Sequence, residues 1–372
     1  GQILEDEYFH YKPNSNPEPD FKEAGVELKT APLKRIQRGL VSKERLVFNM
    51  IDYHEEHTKT FSTSGFWSKN SLLLLMFYLH NSEERTIEHI FKIIRLWRFP
   101  KTDLKIIIDD WNTIITKIRC GKAHELSEGD TFYLGACTKG TTAASSMRSQ
   151  PFSDELARGR AFSLKSKYIN SIIAESLTGE YQLQEIDSEY EGILKQEDLV
   201  SDKSFEDLVI EKFQAHYGKT EEKLKAEFGL EYSHSAKNRY AVIARAIMGV
   251  TTPKIEEFEK ADVVMKTIRL GKGGRLKESM SFAQIKFTEI IDEQWEDSYL
   301  HNTFTKRFFF VVFECDEQER LVLRKVLFWT MPMTDLELAE EFWLDTQKKI
   351  ALGDYEHFLK SSEHPICHVR PK

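Results

Sequence analysis

The sequence predicts a mixed α/β (α+β) protein built as two tandem copies of one domain, the second degenerate. Three observations predict it. At 372 residues the chain is too long for one ordinary core, since domains of roughly 150 residues are usual. Short, bounded apolar runs that read as buried strands are interspersed with helical stripes of period 3.6. Five landmarks recur in the same order, offset by about 232–237 residues.

The first landmark is A-G-V-E-L-K-T-A-P-L at 24–33, facing A-D-V-V-M-K-T-I-R-L at 261–270. Val26-Glu27-Leu28-Lys29 alternates, so it reads as a strand with Glu27 and Lys29 on one face. K-E-R-L-V-F at 43–48 then faces K-E-S-M-S-F at 277–282. F-W-S-K at 66–69 precedes the apolar run Leu72–Leu79, and F-T-K at 304–306 precedes Phe308–Phe313; both runs read as buried strands. Leu104, Ile107, Ile108, Trp111, Ile114, Ile115 and Ile118 form a helical stripe followed by Gly121. Leu336, Ala339, Trp343, Thr346 and Ile350 repeat most of it, followed by Gly353. Finally Cys137-Thr138-Lys139 faces Arg370-Pro371-Lys372. The expected domains are therefore 1–175 and 204–372, joined by an acidic, weakly periodic linker at 176–203. The stretch 205–249 looks helical and opens the second domain.

Composition bounds the function. Hydrophobic residues make up 41% and charged residues 30%, which excludes collagen-like, low-complexity and wholly disordered chains. The longest apolar run is eight residues, far short of the ~20 that a membrane helix needs, so no membrane partner is expected. No secretion leader is recognisable, and the opening Gly1-Gln-Ile-Leu-Glu5 without Met suggests a piece of a longer chain. Cys120, Cys137, Cys315 and Cys367 contain no C-x-x-C, so a reduced, cytoplasmic protein is expected. The net charge of −8 speaks against nucleic acid, but its distribution leaves DNA binding open. Lys22, Lys29, Lys34, Arg35, Arg38, Lys43 and Arg45 crowd one stretch, and Lys139, Arg148, Arg158, Arg160, Lys165 and Lys167 another. The acidity sits between them and the C-terminal region, at 175–231.

One motif carries chemistry. Pro19-Asp20 followed by Glu27-Leu28-Lys29 is P-D-x6-E-x-K, which suits metal-assisted phosphodiester hydrolysis. Two carboxylates can hold Mg²⁺, an ion that prefers oxygen ligands. A lysine two residues along the same strand face can position or deprotonate the attacking water, or stabilise charge on the phosphate. Glu5 adds a third metal-binding carboxylate from a preceding helix, and Lys69 is a second candidate cation. Chance places D-x6-E-x-K in about one chain in five of this length, so alone it is weak. The repeat strengthens it. The second copy keeps Lys266 but has Val264 for Glu27, Glu257 for Asp20 and Arg245 for Glu5, and a valine cannot bind metal. The pattern fits a first domain that cuts and a second that only binds.

These residues also carry a resemblance. A-G-V-E-L-K-T at 24–30, G-x-x-L-E at 1–5 and Pro19-Asp20 resemble the mismatch-repair strand-nicking endonuclease family MutH. They are more similar still to the MutH-like type II restriction endonucleases that cleave GATC, of the PD-(D/E)xK superfamily. G-K-A-H-E-L-S-E-G at 121–129, C-T-K-G at 137–140 and R-A-F-S-L-K-S at 160–166 extend the likeness, and H-V-R-P-K at 368–372 carries it faintly into the second half. The resemblance implies tandem MutH-like folds, an active N-terminal domain and an allosteric DNA-binding C-terminal domain. It implies Glu5, Asp20, Glu27, Lys29 and Lys69 as active-site residues, Mg²⁺ as cofactor and double-stranded GATC DNA as partner, with a dimer on DNA left open. It places Lys139 on a base-reading loop, where lysine can donate to guanine O6 and N7. Ser163, Lys165, Arg370 and Lys372 are the other expected DNA contacts. Cys137 stands where MutH has an arginine, and Ser163 where MutH has the tyrosine that touches adenine. Loss of that ring predicts cleavage of GATC whether or not its adenine is N6-methylated. Two further readings stay open: a single-domain-type mismatch-repair nickase, which the duplication opposes, and a non-catalytic DNA-binding regulator, which the complete residue set opposes.

Other patterns weigh less. His54-Glu-Glu-His57 lacks a third zinc ligand and reads as a solvated pair. Gly271-Lys-Gly-Gly274 is a turn and no P-loop. Trp111 and Trp343 read as core residues, and Cys120 and Cys137 have no activating partner.

Overall fold

The computed structural model describes all residues except 14–15, 38, 140–145, 179–189, 234–235, 277 and 371–372. The chain divides into two compact units, Gly1–Val209 with Val250–Asp262, and Ile210–Gly249 with Val263–Lys372. Residues 250–262 thus fall with the first unit, where the repeat placed them in the second.

In the first unit, β1 (Glu27–Ile36) turns back into β2 (Gly39–Ser42), and β3 (Leu46–Met50) leads to the short helices α1 (Tyr53–Glu56) and α2 (Gly65–Asn70). β4 (Leu73–Leu79) lies parallel to β1, with Glu27 opposite Leu73 and Lys29 opposite Leu75. β5 (Phe91–Trp97) closes a four-stranded sheet of order β2-β1-β4-β5. The apolar run before 79 thus forms a buried strand, as expected. The long helix α3 (Lys101–Arg119) buries Ile106, Ile107, Trp111, Ile114, Ile115 and Ile118, one stripe at helical spacing. A second sheet has order β3-β9-β6, with β6 at Leu134–Thr138 and β9 at Arg160–Leu164. Between them β7 (Met147–Gln150) and β8 (Ser153–Arg158) pair with each other. Phe66 of α2 is fully buried and meets Phe48 of β3 at 5.3 Å and Phe162 of β9 at 5.5 Å. This apolar insertion fixes α2.

After α4 (Ser166–Thr178), Tyr190–Glu191 forms β10 and pairs with β11 (Lys254–Ile255), ahead of α8 (Glu256–Ala261). The described part of the expected linker is therefore structured: Ile193 is fully buried, and its N–H and that of Leu194 donate to the Glu257 carboxylate at 2.9 Å each.

The second unit contains α6 (Glu221–Glu227) and α7 (Arg239–Met248), with α5 (Phe205–Gln214) running up to it across the division. The helical reading of 205–249 holds in three pieces. β12 (Val264–Leu270), α9 (Phe287–Ile290), α10 (Tyr299–Phe304), β13 (Phe308–Cys315), β14 (Leu321–Trp329) and α11 (Met333–Ala351) follow. β12 is parallel to β13, with Val264 opposite Phe308, and β14 is antiparallel to β13.

The succession matches that of the first unit. Ser64 caps α2 by accepting Trp67 N–H at 3.0 Å, and Ser298 caps α10 by accepting His301 N–H at 3.1 Å. Both long helices start after a proline, Pro100 and Pro332. Both end in one C-capping pattern. Gly121 and Gly353 adopt φ of +68° and +73°, and their N–H groups donate to Ile118 O and Ile350 O at 3.0 Å. The next residues, Lys122 and Asp354, reach back to Lys117 O and Lys349 O at 2.9 Å. Left-handed backbone explains the recurring glycines. The match is incomplete: Leu46–Met50 is a strand, whereas its expected counterpart at 280–284 has no regular structure. No helix of the described residues is long and apolar enough to cross a membrane.

Candidate active site

The spacing of Asp20 and Glu27 has a local cause. Phe21 and Val26 exchange backbone hydrogen bonds at 2.9 and 3.2 Å around a turn whose Gly25 takes φ of +63°. This tight hairpin folds Asp20 back onto the head of β1. Asp20 N–H donates to Glu27 Oε2 at 3.1 Å, and Leu28 N–H donates to Asp20 Oδ2 at 3.0 Å. Six intervening residues are what the turn requires.

Strand alternation puts Lys29 on the face of Glu27, and its Nζ donates to Glu27 Oε1 at 2.7 Å. Lys69 arrives by another route. It sits in the last turn of α2, which is held by Ser64, by Phe66 and by Gly65 N–H donating to Glu56 Oε1 at 2.8 Å. The chain then enters β4 with Leu73 beside Glu27, so Lys69 Nζ lies 3.6 Å from Glu27 Oε1 and donates to Asn16 O at 2.8 Å. The Glu27 side chain is 2% exposed, against 18% for Lys29 and 12% for Lys69. Burial pushes the Glu27 carboxyl above the usual carboxylate range, Lys29 pulls it back, and Asp20 pushes it up further.

Glu5 stands in a short helix, Leu4–Tyr8, closed by Phe9 N–H donating to Leu4 O at 2.8 Å. Its carboxyl is also raised, by burial first and then by Asp20, while Lys29 and Lys69 pull it down. The structure thus brings Glu5, Asp20, Glu27, Lys29 and Lys69 into one cluster.

It does not converge the three carboxylates. Among the described residues no three His, Cys, Asp or Glu side chains are close enough to hold a metal ion. The Glu5–Asp20–Glu27 metal set is therefore not ready-made among the described residues. The reason is that Glu27 Oε1 is taken by the lysines and Oε2 by Asp20 N–H, and one Asp20 oxygen by Leu28 N–H.

The expected DNA contacts fare unevenly. Lys139 is exposed, and its backbone N–H is pinned to Gly159 O at 2.8 Å, next to residues 140–145, which lie outside the described set. Lys165 Nζ donates to Thr131 O and serves the fold in this structure. Arg370 is exposed; Lys372 lies outside the described residues. Ser163 is a correction: it is 2% exposed, in the central strand β9, opposite Val47 on one side and Gly135 on the other. At 2% exposure its side chain has no open path to a base edge. Ser163→Ala should therefore leave the sequence preference of DNA binding unchanged, and a tenfold loss of preference in a competition titration would restore the contact. Glu257 is likewise no counterpart of Asp20, because its carboxylate holds the Ile193 and Leu194 amides.

Two residues escaped the sequence reading. Tyr11 has a hydroxyl cut off from solvent beside the carboxylates, and Asp110 accepts three amides where the chain enters β6. Asp110 had a signal: an acid beside Trp111 inside an apolar helical stripe.

Fold and cluster together fit one class of protein, a nuclease whose carboxylates and lysines meet at the head of a central strand. Residues 9–110 match the family profile of the DNA mismatch repair enzyme MutH. Across 397 aligned positions the chain is 38% identical to the type II restriction enzyme Sau3AI of Staphylococcus aureus, covering 98% of this chain and 80% of that one. The chain belongs to the MutH-like type II restriction endonucleases.

Proposed function

We propose that this enzyme hydrolyses phosphodiester bonds of double-stranded DNA at GATC with Mg²⁺. The first unit cuts. The second, a degenerate copy, binds another DNA site and modulates the first. The observation that carries the reading is the buried Glu27 carboxylate at the head of β1, with Lys29 and Lys69 on one oxygen and Asp20 pinned across the hairpin. At the matching register of the second unit stands Val264, with Lys266 retained.

Mg²⁺ suits this donor set. The side chains are hard carboxylates, gathered with two lysines at the head of β1. Asp20 and Glu27 would hold the ion, with Glu5 as the third carboxylate. With Mg²⁺ held there, the site would gain polarisation of a phosphoryl oxygen and a more acidic water. Lys29, a donor two residues from Glu27, is placed to stabilise the negative charge that grows on the phosphate. Lys69 adds a second positive charge from α2. Lys139 would read guanine, while the basic side chains around it would neutralise phosphate and set register; Arg370 and Lys372 would do so for the second unit's DNA site. A dimer on DNA would present one such site to each strand.

Supercoiled plasmid carrying GATC, incubated with Mg²⁺, tests the reading once the ends are sequenced. Linear product with ends at GATC is expected. Nicked circles alone would point to the nickase, and intact plasmid to the regulator. A second prediction concerns modulation. An uncleavable GATC duplex added in trans should change the cleavage rate of a single-site plasmid, and a scrambled duplex should not. Equal rates with both duplexes would remove the second-site role. The degenerate copy should also resist simple repair: Lys29→Ala carrying Val264→Glu should cut no faster than Lys29→Ala alone, since the second unit lacks a counterpart of Asp20 as well. GATC cleavage by the double variant clearly above the residual rate of Lys29→Ala alone would show otherwise.

A further inference from the structure

We propose that Tyr11 is a positioning residue of the active site, whose hydroxyl donates into the carboxylate cluster and ties the Glu5 helix to the Asp20 hairpin. The proposal rests on the active-site reading above. Tyr11 is joined to both pieces. Its backbone N–H donates to Glu5 O at 2.9 Å. Its ring stands edge-on to Phe21 at 5.7 Å, and Phe21, the neighbour of Asp20, also meets Phe9 at 4.9 Å. Phe9 and Phe21 therefore brace the same junction from the other side.

The hydroxyl is the informative atom. The side chain as a whole is only half-buried, yet the hydroxyl oxygen is shut off from solvent and has no hydrogen-bond partner among the described residues. Burial first, and then the charges of Asp20, Glu5 and Glu27, push its phenol above the ordinary range. All three carboxylates thus act on one enclosed donor. An enclosed hydroxyl without an acceptor is unfavourable, and a hydrogen bond from it to a carboxylate is of the stronger, charge-assisted kind. The phenolic hydrogen can lie to either side in the ring plane, so an approach of Glu5 or Asp20 to the hydroxyl would complete the bond. That approach would draw the Glu5 helix and the Asp20 hairpin together, as a shared metal ion requires.

Tyr11→Phe keeps the ring on Phe21 and the backbone bond to Glu5, and removes the hydroxyl alone. Wild type, Tyr11→Phe and Lys29→Ala are compared for cleavage of a GATC duplex, thermal melting and Mn²⁺ binding, the last read from free Mn²⁺ by electron paramagnetic resonance. For Tyr11→Phe the expected result is a fall in kcat of roughly 10- to 100-fold, the worth of one hydrogen bond to a charged group. KM should be unchanged, the melting temperature should not fall, since an unpartnered buried hydroxyl is removed, and Mn²⁺ binding should weaken several-fold. Tyr11→Phe at wild-type rate and Mn²⁺ affinity overturns the proposal while an inactive Lys29→Ala leaves the active-site reading standing. A slow Tyr11→Phe with unchanged Mn²⁺ affinity also overturns it, since the donor would then serve the substrate. A lowered melting temperature with a proportionate loss of binding would make Tyr11 a fold residue only. Lys29→Ala cleaving like wild type would remove the active-site reading itself.

Discussion

Lys29→Ala should cut GATC duplex at least about 10²–10³-fold more slowly than wild type, the usual cost of removing a donor aimed at developing charge. Two effects combine. The phosphate loses a cation at the head of β1, and Glu27 loses the partner that donates to its Oε1 at 2.7 Å. Glu27 is already pushed towards its neutral form by burial, and Lys29 is the largest influence opposing that. Among the described residues Lys69, at 3.6 Å, is then the cation left beside the carboxylate. DNA binding measured without divalent metal should stay within a fewfold, because one phosphate contact among many is lost. Lys29→Met, which keeps the aliphatic stem, should match Lys29→Ala in rate and melt closer to wild type. A rate within tenfold of wild type for both variants would take Lys29 out of the chemistry.

What the sequence made legible was local. The alternation at 26–29 places Glu27 and Lys29 on one face, and the hairpin at Phe21–Val26 explains why Asp20 lies where it does. Both long helices follow from their apolar stripes, and their terminal glycines from a left-handed cap. What stayed hidden depends on partners distant in the chain. Ser163 reads as a DNA contact until the packed fold encloses it, in a strand flanked by β3, more than a hundred residues away in the chain, and by β6, nearly thirty away. Residues 250–262 join the first unit through β10 and β11, two residues each, too short to leave a period. Glu257 could pass for a relic of Asp20 because an acid has the same letter whether it faces metal or caps two amides. Tyr11 has no motif at all; its meaning comes from the enclosure of one oxygen.

Asp110→Ala should destabilise the first unit by at least about 3 kcal/mol, and it should do so without touching the carboxylate–lysine cluster. Asp110 lies in the buried stripe of α3 and accepts the N–H groups of Phe132 at 2.6 Å, Tyr133 at 2.6 Å and Leu134 at 2.8 Å. Alanine strands three buried donors together, each worth about 1–3 kcal/mol when left unpaired. Leu134 opens β6, which pairs with β9 and ends at Thr138, immediately before Lys139. Loosening that start should therefore cost sequence preference as well as stability. Asp110→Asn, which keeps a carbonyl acceptor, should be intermediate. Titration separates the charge from the shape. Burial, outweighing the three amides, pushes the Asp110 carboxyl from 3.8 up to about 6. A folded value above the unfolded one gives a stabilising contribution fully present below the unfolded pKa and lost as pH rises through the folded pKa, here through about 6. In urea unfolding, the stability difference between wild type and Asp110→Asn should be larger at pH 5 than at pH 8 by about 1 kcal/mol. If that difference is the same at both pH values, or larger at pH 8, then the three amides outweigh burial and Asp110 keeps its charge deep into acid, as a carboxylate holding several N–H groups can.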